Sequence, residues 1–261
     1  MSDAGEEQEQ TFLSHLIELR DRLMRCLIAL GICFVGLFPF ANKLYALLAL
    51  PLLAKLPKGG QMIATEVTTP FFVPMKVAMM AAVLIALPYL LYQIWAFVAP
   101  GLYSHEKKLA LPLIVSSTLL FFCGMAFAYF LVFPVVFGFI TGYAPQGVAV
   151  MTDIDKYLSF VLTMFLAFGV TFEVPIAVII LVRTGIVTIA KLKEVRPYVV
   201  VGAFVIGAIF TPPDVVSQTM LAVPLWVLYE VGILAAQFVQ RQAARAETDV
   251  VVAGGDNKPV P

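Results

Sequence analysis

Residues 157–182 read YLSFVLTMFLAFGVTFEVPIAVIILV, a stretch whose single charge is Glu173. A bilayer core about 30 Å thick is crossed by roughly 20 apolar residues in a helix. This stretch is long enough, and in hydrocarbon only a helix or a closed barrel satisfies its own backbone donors and acceptors. Pro175 lacks a backbone N–H and is expected to kink the helix. A carboxylate at that depth costs at least about 2.5 kcal/mol on insertion scales. Two readings of Glu173 follow: a protonated acid bonded to a neighbouring helix, or a polar group lining a solvated groove.

Similar stretches lie on either side. Residues 23–44 carry no charge between Arg25 and Lys43, and residues 71–99 none after Lys76. A third stretch covers about 109–140, ending before the loop Thr141-Gly142-Tyr143-Ala144-Pro145. Residues 197–210 form a short fifth stretch, and 215–240 a sixth with one internal charge, Glu230. Residues 44–56 are apolar and suit a short helix on the outer surface. The Thr211-Pro212-Pro213-Asp214 segment predicts a tight turn, because Pro-Pro cannot continue a helix. The fifth stretch is too short to span with ease, so the bilayer is expected to thin near that turn. The composition agrees: 61% of the 261 residues are hydrophobic, 13% are charged and mean hydropathy is +0.94. A soluble domain is nearer half apolar and a quarter charged.

The predicted fold is therefore all-α: one polytopic membrane domain over residues 1–240, then a polar, Gly/Val/Pro-rich tail, 241–261, expected to be disordered. Six spans put both termini on one side. That side carries twelve of the Lys and Arg residues, among them Arg20, Arg22, Arg25, Lys107, Lys108 and Arg183; the other carries five, Lys43, Lys55, Lys58, Lys76 and Lys156. The positive-inside rule makes the richer side cytoplasmic. The acidic, polar start, Met1 to Gln10, does not read as a cleavable signal peptide. Net charge is zero, and the balance points to no nucleic-acid partner. Cys26, Cys33 and Cys123 sit in apolar runs with no CxxC pair, as small buried hydrophobes rather than a metal or redox site.

Catalytic motifs are missing from the sequence. No GxSxG, HExxH, phosphate loop or dinucleotide fingerprint occurs. Both histidines, His15 and His105, fall outside the spans, which argues against an intramembrane hydrolase. A proton-coupled transporter would use Glu173 as its relay, but the chain shows no internal repeat. No enzyme activity, cofactor or metal is expected.

The polar residues that remain cluster at span ends. Glu18 precedes the first span and Glu106 lies in the 100–108 loop, both on the cytoplasmic side of the expected topology. Each is a solvated surface charge or, with its partner, a holder of guanidinium groups, for which carboxylates are the bidentate match. Arg20 and Arg22 orient these acids or anchor the membrane. Gln93 sits at moderate depth and suits an interhelical hydrogen bond, while Trp95 and Phe97 suit an interfacial aromatic belt. Asp214 and Gln218 lie one turn apart at the outer end, where Asp214 is also a natural helix N-cap.

Four motifs in order resemble one family. His15-Leu16-Ile17-Glu18-Leu19-Arg20 looks like the amino-terminal motif of TatC. Trp95-Ala96-Phe97-Val98-Ala99-Pro100-Gly101-Leu102-Tyr103-Ser104-His105-Glu106-Lys107 looks like its first cytoplasmic loop. Phe172-Glu173-Val174-Pro175 matches its fourth-helix motif. Arg196-Pro197-Tyr198, with Thr211-Pro212-Pro213-Asp214 and Ser217-Gln218, matches its fifth helix and last outer turn. The resemblance covers residues 12–240. It implies a curved, concave six-helix bundle in the bacterial inner membrane and recognition of paired arginines in signal peptides by Glu18 and Glu106, aided by Arg20 and Phe97. It also implies an important polar role for Glu173, partnership with TatB and TatA, self-association, and export of folded proteins driven by the proton-motive force.

Overall fold

The computed structural model describes residues 3–53, 63–98, 107–142, 153–211 and 214–255 of the chain. Ten helices account for nearly all of them: α1 (Asp3–Leu37), α2 (Ala41–Leu53), α3 (Thr69–Val98), α4 (Lys107–Phe127), α5 (Phe133–Gly142), α6 (Ile154–Phe172), α7 (Val174–Arg183), α8 (Ile189–Glu194), α9 (Arg196–Phe210) and α10 (Val215–Gly255). A 3₁₀ turn, Phe38–Phe40, joins α1 to α2, and a π turn, Ala128–Val132, joins α4 to α5. Among the described residues there is no strand, only an isolated bridge between Ile63 and Asp153.

Among the described residues, five stretches are long and apolar enough to cross a membrane: Ser14–Leu47, Thr69–Val98, Leu111–Phe139, Ile154–Arg183 and Val215–Gln242. The sixth, Arg196–Phe210, has 15 residues, about 22 Å at 1.5 Å per residue. The protein is thus an all-helical, multi-pass membrane protein, as its sequence predicts, with the fifth crossing as short as expected.

Several boundaries differ from the sequence reading. The first helix starts at Asp3 rather than near Leu23; the Glu18–Arg22 pair, one turn apart, supports the stretch before the apolar run, and a helix need not end where that run does. The fourth span is not simply bent. It divides into α6 and α7 at Glu173, where the ring of Pro175 excludes a bond to the carbonyl four residues back. The last helix runs on to Gly255, past the 240 boundary assigned from the onset of polarity; Ala, Arg, Gln and Glu fill 240–247 and are all strong helix formers. The 183–196 connection contains α8, whose cap Thr188 accepts from the Lys191 amide at 3.2 Å. Gly185 just after α7 has φ +73°, the left-handed turn that glycine adopts without strain.

The chain forms two compact units. Unit 1 comprises residues 1–119 and 137–166. Here α1 and α2 pack along α3, and Val73, Val77 and Leu158 are buried with Leu44, Tyr45, Ile154 and Leu162 around them. Trp95 is buried and donates through Nε1 to Ser117 Oγ at 2.9 Å. It therefore ties α3 to α4 and does not belong to an interfacial belt. Lys76, the one charge inside α3, is bonded by Asp155 Oδ1 at 2.6 Å and Ser159 Oγ at 3.1 Å.

The entry to α6 is stapled to the segment before α3. The Ile154 amide donates to the Ile63 carbonyl at 3.0 Å. Asp153 accepts from the Thr65 hydroxyl and amide on one oxygen and from the amides of Asp155 and Lys156 on the other. The Thr65 hydroxyl is the largest cause, with the amides adding to it, of an Asp153 pKa held at about 2.

Unit 2 comprises residues 120–136 and 167–261. Its centre is the α7–α10 contact, where Val178, Leu192, Tyr229, Ile233 and Ala236 are buried together. The approach is close because Gly232 has no side chain: a Cβ there would lie 2.9 Å from Pro175 Cα and 3.1 Å from Val178 Cβ. Gly124 meets the Phe168 carbonyl in the same manner, beside the Phe127, Phe168 and Phe172 rings, whose centroids pack at 5.6 Å.

Gly232→Val is expected to destabilise the purified protein by about 1–3 kcal/mol, the usual cost of overpacking, read as a fall in thermal melting temperature in detergent. The Asp153 staple makes a second prediction. The folded pKa lies below the ordinary carboxylate value, so its contribution is complete above about pH 4 and fades as pH falls towards 2. The protection of the Ile154 and Lys156 amides against hydrogen exchange, relative to their intrinsic rates at each pH, should fall over that window, and Asp153→Asn should flatten the pH dependence.

Candidate functional site

In unit 1 the helical pitch places His15, Glu18 and Arg22 on one side of α1, facing the end of α3. Glu18 Oε1 accepts from Arg22 Nε at 2.9 Å and from Nη2 at 2.6 Å. Arg22 Nη1 in turn donates to Gln93 Oε1 at 3.1 Å. Gln93 is buried in α3, so the expected interhelical bond is made, and its partner is a charge. Glu18 Oε2 stands 3.9 Å from His15 Nδ1, beyond hydrogen-bond length. The His15 ring stacks on Phe97 with centroids 4.4 Å apart and an interplanar angle of 16°. One carboxylate, one guanidinium, one amide and two stacked rings thus join α1 to α3.

Arg20 is not part of this group. It donates from Nε and Nη2 to Asp21 Oδ1, at 3.1 and 2.9 Å, and is largely exposed. Successive residues on a helix point about 100° apart, so Arg20 and Glu18 leave the axis in different directions. Glu106, with the 99–106 loop, lies outside the described residues. Glu18 and Phe97 are therefore brought together with Gln93, and Arg20 is turned away.

The remaining polar candidates belong to unit 2. Glu173 is only 8% exposed and occupies the junction between α6 and α7. Its amide donates to the Val170 carbonyl at 3.1 Å and its own carbonyl accepts from Ala177 at 2.9 Å. Asp214 Oδ1 accepts from the Ser217 amide at 2.7 Å, the N-cap geometry. The Gln218 amide donates to the Asp214 carbonyl at 3.2 Å, while its side-chain Nε2 donates to the Phe204 carbonyl at 2.9 Å, tying α10 to α9 beside Gly207.

Sequence reasoning did not pair Glu230. Its Oε2 accepts from Arg196 Nη2 at 2.6 Å, and the adjacent Tyr229 hydroxyl donates to the Leu192 carbonyl at 2.8 Å. The two bonds pin α8 and the start of α9 to α10. They link residues over thirty positions apart, for which a single sequence offers no periodic signal.

The fold and these polar groups define a multi-pass, all-helical membrane protein that carries an acidic side chain with stacked rings at the end of its first span. Comparison with known proteins gives the family. The family model described as TatC, Sec-independent protein translocase protein, matches residues 14–224. The chain is 56% identical to the Sec-independent protein translocase protein TatC of Haemophilus influenzae over 90% of this chain and 91% of that one. It is 53% identical to the Escherichia coli K12 protein of the same name, over 89% and 90%. A crystal structure of the twin-arginine translocase receptor TatC superposes with a TM-score of 0.77 at 41% identity, covering 87% of this chain and 99% of the other. The chain belongs to the TatC family of Sec-independent protein translocase proteins. It is a component of a protein translocase, a transport protein and not an enzyme.

The Arg196–Glu230 pair should show in a double-mutant cycle. Arg196→Ala and Glu230→Ala are each expected to lower melting temperature. The double variant should lose less than their sum, by an interaction energy of about 0.5–3 kcal/mol, because either single change strands a partly buried charge.

Proposed function

We propose that this chain is the receptor subunit of a twin-arginine translocase in the bacterial inner membrane, with both termini cytoplasmic. It binds the paired arginines of signal peptides at the cytoplasmic face through Glu18 and Glu106, with Phe97 as the adjoining aromatic wall and Arg20 at the rim. The observation that carries this reading is the Glu18 carboxylate. It is partly exposed at the end of a span, with Oε2 3.9 Å from the His15 ring nitrogen, beyond hydrogen-bond length. A carboxylate in that setting suits a guanidinium, which offers planar, directed donors. Membership in the TatC family and the likeness to a solved twin-arginine translocase receptor support the same assignment.

TatB and TatA are the partner subunits in this reading. The chain also associates with copies of itself, and folded proteins cross at the expense of the proton-motive force. Glu173, buried at the α6–α7 break, acts as a polar group of the transport groove. Asp214 and Gln218 hold the turn between α9 and α10.

The test is photo-crosslinking from positions 18, 97 and 106 to a twin-arginine signal peptide in membranes. Crosslinks are expected from all three, and their loss when both arginines become lysines. Glu18→Ala and Glu106→Ala should each weaken peptide binding by about ten- to a hundredfold, the loss of one charge-assisted hydrogen-bonding partner. Unchanged binding in both variants would overturn the assignment.

A further inference from the structure

We propose that Arg22 is a positioning residue for arginine recognition: it occupies Glu18 Oε1 and leaves Oε2, beside the His15–Phe97 stack, as the oxygen open to a peptide guanidinium. The proposal rests on the reading of Glu18 given above.

The geometry sets out the roles. Both donors that Arg22 directs at Glu18 end on the same oxygen, Oε1. The third nitrogen, Nη1, is held by Gln93 from α3, so the guanidinium is fixed at both ends and cannot swing freely with α1. Arg22 is the less exposed partner, at 22% against 39% for Glu18. Arg20 is engaged by Asp21. Ion pairs with exposed members add little stability, so the chief consequence of this one is orientation.

That orientation bears on specificity. A carboxylate that already carries a guanidinium has lost much of its net charge, and it attracts a further cation weakly. What remains is directional: lone pairs on Oε2, and a flat aromatic surface on which a planar cation stacks. A guanidinium uses both features. An ammonium is a compact point charge and profits mainly from net negative charge. Arg22 therefore works against lysine more than against arginine. Its removal restores the full charge of Glu18, frees the carboxylate to rotate, and lets lysine bind.

The experiment compares binding of a signal peptide with paired arginines and one with paired lysines to the full chain, assembled with its partner subunits in nanodiscs. In the Arg22→Ala variant the arginine-to-lysine preference should fall at least about fivefold, mainly through tighter lysine-peptide binding. Gln93→Leu should shift the preference in the same direction by a smaller factor, because Arg22 keeps its bond to Glu18. An unchanged ratio, or equal weakening of both peptides, overturns the role of Arg22. If Arg22→Ala fails to insert, Gln93→Leu decides alone by the same criterion. Glu18→Ala separates the two claims. Wild-type binding there rejects Glu18 as the receiving acid. Weakened binding there, with an unchanged ratio in Arg22→Ala, rejects only the positioning role.

Discussion

A charge held close to hydrocarbon must be bonded, and the Glu18–Arg22–Gln93 chain is where unit 1 meets that requirement between α1 and α3. The acid sits on α1, its guanidinium one turn later, and the amide that holds the guanidinium on α3. Breaking any member strands another. The helix–helix contact and the placement of the acid are therefore one arrangement, and α1 docks on α3 in the register that brings Arg22 to Gln93. Lys76 with Asp155, and Arg196 with Glu230, meet the same requirement inside each unit. Such pairs secure position more than stability, since desolvation offsets much of their attraction.

Backbone bonding imposes the second constraint. Helices satisfy themselves in lipid, and interruptions survive where other groups take up the freed donors and acceptors. The α6–α7 break at Glu173 is of this kind: Val170 and Ala177 close the turn around it through backbone bonds. Helices without a hydrophobic drive between them then pack by close approach, which small residues permit. Gly232 against Pro175 and Gly124 against Phe168 are those approaches in unit 2.

The crossings were legible in the sequence because their signal is local: a charge-free run of sufficient length needs no knowledge of the fold. The Asp214 cap was likewise present, as an acid before a helix. The Arg22–Gln93, Trp95–Ser117 and Arg196–Glu230 contacts were not legible. They join residues 71, 22 and 34 positions apart, and nothing in one sequence says which face of one helix meets which face of another. Trp95 illustrates the limit: an aromatic near a span end fits an interface and a buried tie equally well until α4 is placed. The start of α1 was misjudged for a related reason. Charge marks where the bilayer ends, and a helix has no need to end there.

The account turns on the Glu18 carboxylate receiving a guanidinium. Isotope-edited infrared difference spectroscopy, with glutamate carboxyls labelled, reads that group directly when a twin-arginine signal peptide is added to the receptor in membranes. The account predicts a shifted carboxylate band that disappears in Glu18→Gln and is weaker with a twin-lysine peptide. A difference spectrum that Glu18→Gln leaves intact would contradict it.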